Sequence, residues 1–235
     1  MVEPEKITEG VFRLAPGRSN CYLLAGHELC LIDTGMPDDA EKIKMALAVL
    51  GYTTEKIRYL LITHGHLDHT GSLAELKKLS GAQVVAGIKD VPYIEGLRKS
   101  WTMGREGVGG LFFKTILFFV ETFFFRYQPV RVDMPCSGGE MIDCCGGIQA
   151  IATPGHSPGS LSFYHKEKRL LFVGDALNGT GGFGLPKRFG CASYTDALRS
   201  VENLAQLDFD TCLLGHGAPV LGNAKQQMAQ LLPNR

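Results

Sequence analysis

An excess of charge of either sign is missing from this chain. Its 24 lysines and arginines are balanced by 24 aspartates and glutamates, so the formal net charge is zero. No basic block provides the electrostatic footprint of a nucleic-acid binder, and the expected partner is a small molecule. No apolar run approaches the ~20 residues that a bilayer-crossing helix needs. The N-terminal stretch Met1-Val2-Glu3-Pro4-Glu5-Lys6 has neither the basic start nor the apolar core of a secretory leader. The seven cysteines are odd in number and contain no Cys-x-x-Cys pair. That composition speaks against a disulfide scaffold and for a reducing, cytoplasmic setting, with each cysteine read as a small buried apolar residue.

What is present fits one domain over residues 1–235, long enough to bury a sizeable core. Short apolar runs broken by Pro-Gly and Gly-His turns predict strands at Val11–Ala15, Cys21–Ala25 and Leu29–Asp33. A helix is expected over Asp38–Leu50, with Asp38 and Glu41 spaced as a capping box, and another from Ser72 to about Gly81 with Ser72 and Glu75 as its cap. Arg58–Thr63 and Gln83–Ala86 read as strands, as do Glu140–Asp143, Ile148–Thr153, Ser160–His165, Leu170–Gly174 and Asp210–Leu214. Helices are predicted over Thr195–Leu207 and Ala224–Leu232. Strands and helices in two similar halves suggest an α/β domain with helices outside two packed sheets. Residues 92–135 break that rhythm and read as an inserted helical segment.

One hexapeptide dominates the chemistry. His64-Gly65-His66-Leu67-Asp68-His69 places three imidazoles and a carboxylate directly after the apolar run Tyr59–Thr63. Imidazole nitrogen and carboxylate oxygen are ordinary zinc ligands, and a loop at a strand end can fold several onto one point. A packed core would not collect such groups, because each costs free energy unless it is paired. Of the four other histidines, His156 in Thr153-Pro154-Gly155-His156 and His216 in Leu214-Gly215-His216-Gly217 also follow predicted strands, flanked by glycines that let the backbone turn. Asp175 ends the run Leu171-Phe172-Val173-Gly174 in the same way. His27 and His165 lack that setting and read as exposed and inert.

This order of residues resembles the metallo-β-lactamase superfamily. The resemblance rests on His64, His66, Asp68 and His69, then His156, Asp175 and His216, with Asp33-Thr34-Gly35 as the early aspartate turn. It covers nearly the whole chain outside 92–135. It implies an αββα four-layer sandwich with metals along one rim. His64, His66 and His156 would hold one ion, Asp68, His69 and His216 the other, and Asp175 would bridge them. Asp33 would brace the loop from behind the ligands. Two divalent ions are implied, zinc in preference to iron or manganese. The chemistry implied is attack by a bridging hydroxide on an ester, lactone or thioester, with Asp68 and His69 counted as catalytic. Members that open β-lactams generally lack the bridging carboxylate, so Asp175 points away from β-lactam hydrolysis. A phosphodiester hydrolase and a mononuclear-iron persulfide dioxygenase are the alternatives. Tyr194, which follows the Asp175 loop, is a candidate hydroxyl donor to substrate.

Residues 111–125 hold seven of the 13 phenylalanines, interrupted by Lys114 and Glu121. As a helix the stretch would be about 22 Å long. It reads as a buried or dimer-forming helix, a lid over an apolar substrate, or a membrane-surface contact. On the lid reading, polar substitution of Phe118 and Phe119 weakens turnover of long-chain substrates more than of short-chain ones. A kinetic series over acyl length checks this, and equal losses at every length would dismiss the lid.

Overall fold

Strand residues alternate between two apolar environments, and that alternation builds the layers. The computed structural model describes residues 3–99 and 128–232, together with Leu111, Phe112, Thr115, Ile116 and Phe118 in helical conformation. The first half contains strands β1 (Glu5–Thr8), β2 (Val11–Leu14), β3 (Cys21–Ala25), β4 (Leu29–Ile32), β5 (Ile57–Ile62) and β6 (Gln83–Gly87). Its helices are α1 (Ala40–Val49), α2 (Leu67–Thr70), α3 (Leu73–Ser80) and α4 (Val91–Ile94). The second half contains β7 (Met134–Cys136), β8 (Met141–Ile142), β9 (Ile148–Ala152), β10 (Leu161–His165), β11 (Leu170–Gly174), α5 (Tyr194–Leu204), β12 (Thr211–Leu214) and α6 (Ala224–Leu231). Strands β1 to β7 lie in sequence order in a seven-stranded sheet, and the second sheet runs β12-β11-β10-β9-β8.

Successive strand residues point to opposite faces. Leu29 and Leu31 of β4 therefore pack outward with Ile43 and Leu47 of α1 and Leu73 and Leu76 of α3. Cys30 and Ile32 face inward, where they meet Phe163, Phe172 and Leu213 of the second sheet. On the far side Leu171, Val173 and Leu214 pack against Val201 and Leu204 of α5 and Met228 of α6. The result is the expected helix-sheet-sheet-helix sandwich. Within the central layer the Tyr22 ring meets Phe172 edge-on at 5.4 Å.

The pairing pattern puts the functional loops on one rim. β4 and β5 are parallel, as are β11 and β12. β9 and β11 both run antiparallel to β10 and so share a direction. The C-terminal ends of these five strands carry all the residues singled out above as metal ligands, with Asp33 as well.

Several local expectations shift. α1 begins at Ala40, and Asp38, at φ +73°, lies outside it. The capping box does not form: the Asp39 carboxylate instead accepts from the Met36 amide at 2.9 Å and from Lys42 at 2.7 Å. Ser72 makes no cap either, because its hydroxyl donates to the Met36 carbonyl. Strands β1 and β7 are additional to the sequence reading. β7 pairs with β6, and Val130 and Val132 join the outer core, so the described residues at the end of the 92–135 stretch belong to the body of the domain. His165 is buried, not exposed, with Nε2 2.8 Å from the Cys145 carbonyl. All seven cysteines are free thiols, six of them buried and Cys145 partly so. Leu111, Phe112, Ile116 and Phe118 are exposed, while Phe119 lies outside the described residues. Among the described residues no helix is long and apolar enough to cross a membrane.

Phe163 is fully buried between the sheets. Replacing it with alanine is expected to cost about 3–5 kcal/mol. Denaturant unfolding measures this, and a loss well under 1 kcal/mol would show that the central layer is not the main core.

Candidate metal centre

The centre begins with β5, whose buried residues deliver the polypeptide to the rim at Thr63. His64 follows on the loop, His66 stands in extended backbone, and the short helix α2 then presents Asp68 and His69. His156 lies on the loop after β9, Asp175 directly after β11, and His216 two residues after β12. Gly215 makes the last approach possible, since a Cβ there would stand 2.3 Å from Asp175 Oδ1.

The seven side chains converge. Three triads each bring their ligand atoms within 4.8 Å of one another: His64, His66 and His156; His64, His69 and Asp175; Asp68, His69 and His216. His66 Nδ1 is 2.9 Å from His156 Nε2, and His69 Nε2 is 3.4 Å from His216 Nε2. Asp68 Oδ2 is 3.5 Å from His216 Nε2. Asp175 sits between the groups: Oδ1 is 3.5 Å from His69, and Oδ2 is 3.4 Å from both His156 and His216.

The far nitrogen of three rings is held from behind, which aims the other nitrogen at the centre. His69 Nδ1 is 2.8 Å from Asp33 Oδ2, His216 Nδ1 is 3.0 Å from the Arg18 carbonyl, and His64 Nδ1 is 3.1 Å from Thr63 Oγ1. Asp33 also accepts from the Thr63 amide and hydroxyl. It does so from a left-handed backbone at φ +58°, a conformation that costs a non-glycine residue free energy and persists where surroundings hold it. The His216 loop is tied across the sheets by Asn20 Nδ2, which donates to the Leu214 and Gly217 carbonyls, and by Tyr22 Oη, which donates to Leu214. Ser19 Oγ donates to the Asp68 carbonyl.

The donors present fit a cation. His64 Nε2 and Asp175 Oδ1 are buried without a hydrogen-bond partner. Such atoms are costly unless something else satisfies them. Burial holds His64 well below the ordinary histidine range, aided by the neighbouring imidazoles, so its lone pair stays available. Burial opposes charge on His69 as well, but Asp33 and Asp175 outweigh it and push the ring up to about 10. His216 is also raised, by Asp175 acting against burial. Burial would raise Asp175, yet His69, His156 and His216 bring it well below the usual carboxylate range. These shifts describe a cavity that stabilises positive charge at its middle.

Other candidates are placed differently. Tyr194 opens α5, next to the loop where Ala192 N donates to the His156 carbonyl, and the Arg188 guanidinium lies 5.6 Å from its ring centre. Phe118 is helical and exposed. Sequence reading missed Thr63, Ser19, Asn20 and Tyr22. Thr63 was hidden at the end of an apolar run, and only the alternation of Asn20 and Tyr22 along one strand face hinted at a shared partner.

In the ion-free protein, His69 stays protonated in the fold at pH values where the unfolded chain has lost that proton. Its pairing therefore contributes stability that is complete below about pH 6.5 and is lost as the pH rises through about 10. Unfolding of chelator-stripped wild type and His69→Asn measures the difference, which is expected to narrow across that window. A gap that widens with pH would contradict the assigned charge.

The sequence model of the metallo-beta-lactamase superfamily matches residues 14–216. The chain is 27% identical over 241 residues to the probable metallo-hydrolase YflN of Bacillus subtilis (strain 168), covering 95% of this chain and 90% of that one. It is 27% identical over 208 residues to the hydroxyacylglutathione hydrolase GloC of Haemophilus influenzae, covering 86% of each. Among solved structures, it is similar to BJP-1, a subclass B3 metallo-beta-lactamase of Bradyrhizobium japonicum, with a TM-score of 0.72, 27% identity, and 97% and 90% of the two chains covered. A match through both sheets and every ligand-bearing strand end leaves one assignment: the chain belongs to the metallo-beta-lactamase superfamily and is a metal-dependent hydrolase.

Proposed function

We propose that the chain is a dinuclear hydrolase of esters, lactones or thioesters. The observation that carries this reading is the place of Asp175, within 3.5 Å of His69, His156 and His216 at once. A carboxylate there can serve two ions. His64, His66 and His156 would hold one, and Asp68, His69 and His216 the other, with zinc favoured for both by the nitrogen-rich donor set. When bound, the pair would supply Lewis acidity toward the substrate oxygen and a water that loses its proton near neutral pH.

The protein's own part is positioning and proton handling. Asp33 keeps His69 in one tautomer, and the Arg18 carbonyl does the same for His216. Asp68 is a partly exposed carboxylate, and its main chain is pinned by Ser19. Its Oδ2 would take a proton from the attacking water and return it to the leaving group. Tyr194 would offer its hydroxyl to the substrate, and Leu111 and Phe112 would contact its acyl part. The exposed Leu111 and Phe112 suit either that role or a contact between two copies of the chain.

The hydroxyacylglutathione hydrolase relative supports the thioester end of this range. The likeness to a subclass B3 enzyme supports the fold, whereas Asp175 favours a substrate other than a β-lactam. Purified protein stripped with a chelator should lose hydrolysis and regain it with zinc. Metal-loaded protein should turn over a thioester, lactone or ester faster than a phosphodiester or β-lactam. One bound iron per chain, with oxygen uptake on a persulfide, would replace this reading with an oxidoreductase.

A further inference from the structure

Asp90 lies outside the hexapeptide and the other ligand-bearing turns. It stands three residues beyond β6, where the chain enters α4. An aspartate in that position usually turns its carboxylate onto the first amides of its own helix. Asp90 does not: its main-chain carbonyl accepts from Tyr93 and Ile94, but its side chain makes no cap. The carboxylate is fully buried and is used elsewhere. Its Oδ2 accepts from the Gly65 amide at 2.9 Å and from Ser157 Oγ at 2.5 Å, and its Oδ1 accepts from the Gly159 amide at 2.7 Å.

The placement of those donors gives the contact its meaning. Gly65 lies between His64 and His66, and Ser157 directly follows His156. One carboxylate therefore joins the two loops that carry the whole His64, His66 and His156 triad, loops about 90 residues apart in the chain. The approach is tight: a Cβ on Gly159 would stand 2.4 Å from the Asp90 amide nitrogen. Asp33 has the corresponding relation to the other group, since it holds His69 and Thr63 together.

We propose that Asp90 is a positioning residue for one of the two ion positions, clamping the His64-Gly65-His66 loop to the His156 loop and so setting the affinity of that triad. The proposal rests on the two-ion reading above. Groups behind a metal's ligands typically alter affinity 10–100-fold when lost. The clamp acts on loop position, not on a ligand nitrogen, so its loss should weaken one ion and spare the other.

Asp90→Asn tests this. An amide keeps the size of the carboxylate but turns one acceptor into a donor, so in either orientation it faces at least one backbone N–H. Zinc content and stepwise zinc affinity, read by competition with a chromophoric chelator, should show one ion at wild-type affinity and one weakened about 10–100-fold. Ser157→Ala, which removes one of the three contacts, should show a smaller loss at the same ion. In a His156→Ala background, Asp90→Asn should add little, because both act on one position. Circular dichroism and thermal unfolding of the ion-free variants report the fold separately. Two ions at wild-type affinity in folded Asp90→Asn would overturn the proposal. So would equal weakening of both ions in Ser157→Ala. A wild-type protein that binds fewer than two zinc ions would fail the two-ion reading itself, whatever the variants do.

Discussion

Five imidazoles and two carboxylates share one small, largely buried volume, and the fold must make that tolerable. Removing such groups from water is expensive unless each finds a partner. Most of the partners are visible: Asp33 behind His69, Thr63 behind His64, a main-chain carbonyl behind His216. What stays unsatisfied points inward, at His64 Nε2 and Asp175 Oδ1. The arrangement closes electrically only around positive charge. In its absence protons take that place, which is why His69 and His216 are raised while Asp175 is lowered.

The two sheets serve this constraint. Their shared apolar layer, from Val11 and Ile32 to Phe163 and Phe172, fixes the distance between strand ends that supply opposite sides of the centre. Bonds across the rim then set the loops: the Leu161 amide reaches the Thr63 carbonyl, and the Asn20 amide reaches Gly215. Rigid strands carry the donors, and short polar contacts aim them. Both are needed because ion coordination tolerates little displacement.

The places where local reading failed have a common cause. Asp38 and Ser72 have the spacing of helix caps, yet neither caps: Asp38 lies outside α1 in a left-handed backbone, and the Ser72 hydroxyl goes to the distant Met36 carbonyl. Asp90 has a capping position and gives its carboxylate to two distant loops instead. His165 precedes a charged turn, yet it is buried beneath the Cys145 carbonyl. A polar side chain pairs with whichever donor or acceptor the fold brings nearest, and a window of a few residues need not contain that partner.

Spacing and the family resemblance together singled out the candidate donors. His64 to His69, His156, Asp175 and His216 each follow an apolar run, and short apolar runs ending in glycine or a polar turn read as strands from composition alone. The periodicity of α5 likewise followed from which residues water excludes. Only the tertiary structure decided that five separate strand ends share one rim, that Asp175 stands between the two histidine groups, and that Asp90 joins two of the loops. Those facts depend on strand order and direction, which long-range packing selects and no local pattern encodes.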